Sequence, residues 1–213
     1  MDLYKENVER RVRKMQISFI RHGSSSVQKK TITVQEFQEW LQRYEHEDIM
    51  REIEIPIEAI EVVESSKFIV SSDQKKAVQS ATMLTNNVIF MQNPLFREAA
   101  VPSILPVPKW IKCKPEVWMF LSRAFWMIGY SRDVESYLEV QRRAKQAADV
   151  LVGYANVYQR VTLIGHSYFN AMIGKELSTR GWRGPLLFHN KPWGCTIYTF
   201  REVTEGNVFV TYT

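Results

Sequence analysis

Cysteine is scarce in this chain of 213 residues, since Cys113 and Cys195 are the only two. Two isolated cysteines build no disulfide framework, and they fall in no cluster of the kind that binds a metal. This usage excludes the small disulfide-rich secreted proteins, and it favours a reducing compartment because disulfides persist in oxidising ones. We therefore expect a cytoplasmic protein.

Long hydrophobic runs are missing too. The most apolar stretch, residues 117–130, contains Arg123 and is shorter than the roughly 20 residues that span a bilayer. The N-terminal residues 1–14 are mostly charged and lack the apolar core of a signal peptide. Their basic residues form either a solvated flank, which we favour, or a small nucleic-acid patch. We expect neither a membrane nor a nucleic acid as partner.

Neither sign of charge dominates the sequence. The 28 Lys and Arg residues are interspersed with 23 Asp and Glu residues, and the net charge of +5 mildly favours anionic ligands. Apolar residues make up 45% and charged residues 24% of the chain, which is ordinary for a globular protein. The length suits one well-buried domain, so we expect a single domain over residues 1–213, with the oligomeric state left open.

Strand-like and helix-like segments alternate along the chain, which is typical of an α/β fold. The predicted strands are residues 15–20, 67–71, 88–92, 160–164, 195–202 and 207–212, with a turn containing Glu205 and Gly206 between the last two. The predicted helices cover about 34–46, 56–65, 74–85, 134–158 and 167–180. We expect three α/β/α layers around a mainly parallel central sheet.

Polar residues and a glycine mark the predicted helix ends. The expected caps are Thr33 with Glu36 as a capping box, Ser72 or Asp73, Asp133, and Gly181 at the end of the last helix. Within the first helix, apolar residues recur every three to four positions, and the stripe is Phe37, Trp40, Leu41 and Tyr44. We expect this stripe to be core rather than part of a binding site.

Residues 99–132 interrupt the alternation, because they are rich in proline and tryptophan. We expect an insertion that packs over the sheet edge, either as a lid on the active site or as an irregular part of the core. Trp110 and Trp118 are candidate lining residues of such a lid. Lys109, Lys112 and Lys114 would add positive charge beside this apolar wall.

Two histidines occupy matching positions. His22 comes directly after the strand at 15–20, and His166 comes directly after the strand at 160–164. Ligands of parallel α/β sheets bind beyond the carboxyl ends of the strands. Two imidazoles at that edge, one preceded by Arg21, can share one anion, which is typical of an enzyme that transfers a phosphoryl group through a histidine.

Four segments resemble the histidine phosphatase superfamily, the phosphoglycerate-mutase-like proteins of branch 1, and they occur in that family's order. They are Arg21-His22-Gly23, the stretch 71–81, Phe96-Arg97-Glu98 and Gly165-His166-Ser167. Together they span most of the chain. The resemblance implies a phosphatase that hydrolyses a phosphomonoester through a phosphohistidine intermediate on His22.

The chemistry of the side chains agrees with the roles that the resemblance implies. A neutral imidazole is nucleophilic near pH 7, so His22 can attack phosphorus without an activating base. Arg21 supplies a planar fork that fits phosphate oxygens, and a protonated His166 would hold another oxygen as charge develops. Glu98 would protonate the leaving alcohol and then deprotonate the water that cleaves the phosphohistidine. The resemblance also implies that no metal and no cofactor is needed.

The resemblance assigns further residues to phosphate binding, namely Gly23, Ser25, Gln28, Lys76 and Ser167. Gly23 allows the backbone to approach the phosphate closely. Lys76 stands where the family usually has an arginine, and a lysine binds phosphate as a point charge without the bidentate fork. Ser24 replaces a glutamate that is frequent in the mutases. These departures favour a phosphatase, with a small phosphorylated metabolite as the first choice of substrate and a phosphoprotein as the second.

Two alternatives remain open. The first is a catalytically weak or inactive member of the same fold that binds phosphorylated ligands in a regulatory role, with Lys76 as its support. The second is a serine esterase, because Gly165-His166-Ser167 also resembles the nucleophile elbow of α/β-hydrolases, with Ser167 as nucleophile and His189 as base. The elbow's second glycine is replaced by Phe169, and no acid stands out between the two residues.

Overall fold

The computed structural model describes residues 9–25, 30–50, 54–86, 90–185 and 188–206. Its strands are β1 (Glu9–Arg21), β2 (Ile32–Thr33), β3 (Phe68–Ser71), β4 (Met91–Gln92), β5 (Lys112–Cys113), β6 (Arg160–Gly165) and β7 (Cys195–Gly206). Its α-helices are α1 (Val34–His46), α2 (Ile57–Glu64), α3 (Lys75–Leu84), α4 (Pro115–Met127), α5 (Tyr137–Tyr158) and α6 (Ser167–Thr179). A short 3₁₀ turn covers Pro94–Phe96.

The central sheet has five strands in the order β4–β3–β6–β1–β7. The first four strands of this order are parallel, and only β7 runs antiparallel, against β1. Ile164 of β6 pairs with Ile20 on one side and with Ser71 on the other, so the carboxyl ends of three strands meet at one edge. The predicted α/β fold with a mainly parallel sheet is confirmed.

Side chains of the central strands alternate between the two faces of the sheet. Phe19 and Leu163 pack into a cluster with residues of α5 and α6, whereas Ile20 and Ile164 pack into a second cluster with residues of α2 and α3. All four side chains are fully buried. The sheet therefore lies between two helical layers, as predicted.

Two of the predicted helix caps are wrong. The N-cap of α3 is Gln74, because Ser72 Oγ instead accepts the Gln74 amide and the Asp73 carboxylate binds a distant arginine. The N-cap of α5 is Ser136, which forms a capping box with Glu139. A competing partner explains the first case, since a cap residue must leave its oxygen free for the helix amides. In the second case the helix begins three residues later than predicted, and Asp133 has a φ of +59°. The capping box of α1 and the glycine at 181, with φ of +84°, are as predicted.

The predicted C-terminal hairpin is also wrong where the structure describes it. Residues 205 and 206 continue β7 and pair with residues 10 and 9 of β1 instead of forming a turn. β1 starts well before residue 15 and therefore offers a long partner that keeps β7 extended. The predicted strand at 207–212 lies outside the described residues. Of the strand predicted at 88–92, the described part pairs over Met91–Gln92.

Residues 99–132 contain an irregular segment, β5 and α4. They form a separate apolar cluster with α1, in which Phe37 and Trp118 are fully buried. Trp118 Nε1 donates a hydrogen bond to the Ile32 carbonyl, 2.8 Å away. Residues 99–132 thus pack against α1 and are hydrogen-bonded to β2. Over the described ranges, no helix combines the length and apolarity needed to cross a bilayer.

Candidate active site

The parallel register of β1 and β6 brings His22 and His166 together. The amide of His22 donates to the Gly165 carbonyl at 3.0 Å, and the two imidazole centroids lie 5.2 Å apart at an interplanar angle of 62°. Both side chains are buried. The edge predicted from the strand ends therefore contains a pair of adjacent histidines.

His22 is held in one tautomer by its neighbour. Its Nδ1 lies 2.7 Å from the Gly23 carbonyl oxygen. Because a carbonyl only accepts hydrogen bonds, Nδ1 carries the proton and Nε2 is the bare nitrogen. Burial, followed by the nearby His166, holds the pKa of His22 well below its usual value. His22 is therefore a neutral imidazole with its lone pair on Nε2, which is the form that a nucleophile requires.

His166 occupies the N-cap position of α6. Its Nε2 lies 3.2 Å from the hydroxyl of Ser72, a residue at the carboxyl end of β3. Burial lowers the pKa of His166 to about 3, and the positive charges of Lys76 and Arg21 act in the same direction. His166 is therefore neutral before an anion binds, in contrast to the protonated form considered from the sequence.

Arg21 and Lys76 place two cations beside the histidines. Arg21 donates from Nη1 to the Asn190 carbonyl, and its buried Nε has no hydrogen-bond partner in the described structure. Lys76 comes from the first turn of α3, and its buried Nζ likewise has no such partner there. Buried charges are normally paired. Two buried cationic side chains whose donors Nε and Nζ are unused therefore indicate an anion-binding site.

Glu98 follows the 3₁₀ turn and reaches the N-terminus of α6. Its carboxylate accepts hydrogen bonds from the amides of Phe169 at 2.9 Å, Ala99 at 2.8 Å and Tyr168 at 3.3 Å. Burial raises the pKa of Glu98, while the cation of Arg123 and the three amides oppose that rise. A raised pKa favours the acid form that a proton donor needs, and these amides fix the position of the carboxyl group.

A cavity of about 250 Å³ joins these groups. His22, His166, Arg21, Lys76 and Glu98 all contribute to its wall. Ser167, another residue predicted to bind phosphate, lines the same cavity. Six of the nine predicted site residues therefore line the same cavity.

The other three predicted residues do not line the cavity or cannot be placed. Gly23 donates its amide to Ser80 Oγ, and a Cβ at this position would lie 2.5 Å from the Trp193 ring, so packing is what requires a glycine there. Ser25 forms an isolated antiparallel bridge with Ile49. Gln28 lies outside the described residues.

The insertion contributes to the cavity through residues other than the predicted tryptophans. Trp110 is 80% exposed and Trp118 is part of the core, and neither lines the cavity. Arg123 does line it: Nη2 donates to the Ala99 carbonyl at 3.0 Å, the guanidinium lies 3.9 Å from the Tyr168 ring centroid, and buried Nη1 has no partner in the described structure. Lys109, Lys112 and Lys114 are not part of the wall.

Among the described residues, no three His, Cys, Asp or Glu side chains are grouped in a way that could hold a metal ion.

The sequence matches no family model and no curated protein, but solved structures match it. The native mycobacterial glucosyl-3-phosphoglycerate phosphatase is 15% identical over 88% of this chain and 91% of its own, with a TM-score of 0.56. Its complex with VO3 is 15% identical over 92% and 100%, with a TM-score of 0.55. Phosphoserine phosphatase from Entamoeba histolytica, in complex with 3-phosphoglyceric acid, is 13% identical over 90% and 97%, with a TM-score of 0.50. The chain has the histidine phosphatase fold.

Within this histidine phosphatase fold, the sequence motifs did not reveal three side chains near the chemistry. Ser72 was detectable, because it follows β3 just as His22 follows β1. Arg123 was detectable as the single charge in the apolar stretch 117–130. Tyr44 lines the cavity although its stripe on α1 was expected to be core, and that expectation is wrong for Leu41 as well. Helical spacing reveals an apolar face but not what covers that face.

Proposed function

We propose that the protein is a metal-independent phosphatase that hydrolyses a phosphomonoester through a phosphohistidine on His22. The observation that carries the proposal is the bare Nε2 of a neutral His22 beside buried cations with unused hydrogen-bond donors. The nucleophile and the anion-binding groups line one cavity, which is what phosphoryl transfer requires.

In the first step, the phosphoryl group lies among Arg21, Lys76, His166 and Ser167. Nε2 of His22 attacks phosphorus, and the bond between phosphorus and the ester oxygen breaks. Glu98 in its carboxylic acid form gives its proton to the leaving oxygen, so that an alcohol departs. Nδ1 keeps its proton and its bond to the Gly23 carbonyl, which orients the ring throughout.

In the second step, the Glu98 carboxylate takes a proton from water, and the resulting oxygen attacks the phosphorus of phospho-His22. The phosphorus–nitrogen bond breaks, and inorganic phosphate leaves with His22 restored. The bound anion favours the charged form of His166, because a nearby negative charge raises the pKa of an imidazole. His166 then donates to a phosphate oxygen when the charge on that oxygen is greatest.

The substrate is a phosphorylated small molecule in this proposal, with a phosphoprotein as the second choice. A cavity of about 250 Å³ accommodates a small ligand. Its wall combines the cations with apolar side chains of α1 and of the insertion, namely Leu41, Val101 and Met119. The structural neighbours named above are phosphatases whose names refer to small phosphorylated compounds, which agrees with this choice.

The test is hydrolysis of p-nitrophenyl phosphate in the presence of a metal chelator. Wild type should turn the substrate over, His22→Ala should not, and the exposed His189→Ala should behave as wild type. Rapid quenching with phosphorus NMR should detect phosphohistidine in wild type only. Turnover that survives in His22→Ala, or that the chelator abolishes, would refute the mechanism.

A second candidate function is phosphate-ligand binding without turnover. The observation that favours it is that three backbone amides donate hydrogen bonds to the Glu98 carboxylate. Hydrogen bonds to the charged form oppose protonation, and an unprotonated Glu98 cannot protonate the leaving group. Binding of inorganic phosphate by calorimetry, with no turnover across a panel of phosphorylated metabolites, would establish it. The esterase alternative has less support, because His189 lines neither of the two described cavities whose walls include Ser167.

A further inference from the structure

Lys76 is a buried cation whose position no hydrogen bond fixes in the described structure. Its Nζ has no hydrogen-bond partner there. Burial lowers the pKa of Lys76 to about 8; Arg21 acts in the same direction, and Glu47 and Glu45 oppose it. An ammonium is a point charge on a flexible stem, unlike the rigid fork of an arginine, so its surroundings must determine where it lies.

The ring of Tyr44 provides those surroundings. Nζ of Lys76 lies 3.2 Å from the centroid of the Tyr44 ring. The face of an aromatic ring carries negative partial charge and attracts an ammonium, most strongly where water is excluded. Tyr44 lies in the last turn of α1, and both residues line the cavity. The ring therefore stabilises the charged form of Lys76 and limits the positions that Nζ can adopt.

Tyr44 is itself held in place by an aromatic column along α1. Its ring stacks on Trp40 with centroids 5.1 Å apart and planes 11° apart, and Trp40 stacks on Phe37 at 6.0 Å and 16°. Phe37 is fully buried against Trp118 of the insertion, with centroids 6.3 Å apart. The column leaves the Tyr44 ring little freedom to move away from Lys76.

We propose that Tyr44 is a positioning residue, which holds the ammonium of Lys76 at the phosphate site through the face of its ring. This inference rests on the proposed function for its effect on phosphate binding, although the contact itself does not depend on catalysis. The ring takes over part of the task that the second donor of an arginine fork would perform. Two readouts separate this role from a purely structural one.

The first readout is the titration of Lys76, followed by NMR of protein with ¹³C-labelled lysine and assigned by the signal that Lys76→Arg removes. Tyr44→Leu should lower the pKa of Lys76 by about one unit, because the ammonium loses the ring. Tyr44→Phe keeps the ring and should leave the midpoint unchanged. The other charged or titratable groups that interact with Lys76 are the same in every variant, so the difference reports the ring; they are Arg21, Glu45, Glu47, His22 and His166. An unchanged midpoint in Tyr44→Leu would overturn the proposal.

The second readout is the affinity for inorganic phosphate, measured by calorimetry at pH 7. Tyr44→Leu should weaken binding about tenfold, or ~1.4 kcal/mol, and Tyr44→Phe should not. In a Lys76→Met background, Tyr44→Leu should have no further effect, since the residue acts through Lys76. An equal loss in both backgrounds would show that Tyr44 contacts the anion by another route, and would overturn the proposal.

Two controls keep these outcomes distinct. Tyr44→Met is a second ring-deleted variant, and thermal unfolding of each variant identifies any that fails to fold. If wild type binds no phosphate, the proposed function fails, and the titration still decides whether the ring holds Lys76.

A Lys76→Arg background gives a further comparison. The planar guanidinium binds phosphate through two donors and depends less on the ring for its position, so Tyr44→Leu should cost less affinity there than with lysine present.

Discussion

Arg143 of α5 and Glu135 form a bidentate ion pair next to the segment that carries Glu98. Nε and Nη2 of Arg143 lie 2.9 Å and 2.7 Å from the two carboxylate oxygens of Glu135. Nη1 donates to the carbonyls of Leu95 at 3.1 Å and Arg97 at 2.8 Å. One guanidinium therefore connects the long helix to the backbone just before Glu98.

Replacing Arg143 with methionine should lower both stability and turnover. The two carbonyls lose a charged donor, for which we expect a loss of about 2 kcal/mol in the free energy of unfolding. The segment before Glu98 loses its support, and if Glu98 is the proton donor, as proposed, kcat should fall about tenfold or more because small displacements of such a group are costly. Urea unfolding and steady-state kinetics measure the two effects.

The matched control for this prediction is Glu135→Gln. The Glu135 side chain is 41% exposed, so its ion pair is screened by solvent and contributes little. The control retains the donors to Leu95 and Arg97, and kcat should stay within about twofold of wild type. A variant Arg143→Met that is fully active would show that the segment before Glu98 does not need this support.

Gly23 should prove essential for packing rather than for phosphate. An alanine Cβ there would lie 2.5 Å from the Trp193 ring. Trp193 is fixed by a φ of +62° and by the hydrogen bond that its backbone N–H donates to the Arg21 carbonyl at 3.1 Å. Gly23→Ala should destabilise the protein by about 1–3 kcal/mol. Adding Trp193→Leu should recover part of that loss, because the new methyl group gains space. Strictly additive losses in a double-mutant cycle by urea unfolding would contradict this packing role.

The sequence predicted those features that depend on local pattern. Apolar runs that alternate with helix-like segments predicted the strands. The positions of His22 and His166 directly after two strands predicted that they lie together, because parallel strands share one carboxyl edge. The motifs also indicated Glu98. Features that depend on distant partners were not predictable: Asn190 binds Arg21 from a loop far along the chain. Likewise, only the fold shows that Tyr44 faces Lys76.

Helix caps illustrate the same limit. Asp73 is a good cap by residue type, but its carboxylate pairs with Arg97, 24 positions away, with Nε to Oδ1 at 2.7 Å. That long-range ion pair leaves Gln74 as the cap of α3. Residue type therefore identifies the possible N-cap residues, and long-range contacts determine which of them caps the helix.

The two site histidines should lower the stability of the protein on acidification from pH 6.5. Burial holds the pKa of His22 and His166 below the unfolded value near 6.5, and that of His166 is about 3. Below pH 6.5 each of these two imidazoles therefore binds more protons in the unfolded chain than in the folded one, so its contribution to the free energy of unfolding falls as the pH falls. Each histidine contributes a slope of up to about 1.4 kcal/mol per pH unit.

Urea unfolding between pH 7 and 4 measures this slope. His166→Asn has no titrating imidazole at this position, and its slope should be smaller by up to about 1.4 kcal/mol per unit. Saturating inorganic phosphate should stabilise the protein, since it binds the folded state alone. A slope that is identical in wild type and His166→Asn would mean that this imidazole does not titrate on unfolding.

Arg123 should control the proton affinity of Glu98. Its positive charge lowers the pKa of Glu98, so Arg123→Gln should raise that pKa further. In the proposed mechanism, kcat/KM for an alkyl phosphate requires Glu98 in its acid form, so the alkaline limb of the pH profile should move to higher pH. Arg123→Lys keeps the charge and should leave the limb closer to wild type. With p-nitrophenyl phosphate, whose leaving group needs little protonation, the shift should shrink. An equal shift for both substrates would instead place the effect of Arg123 on the phosphate-binding cations.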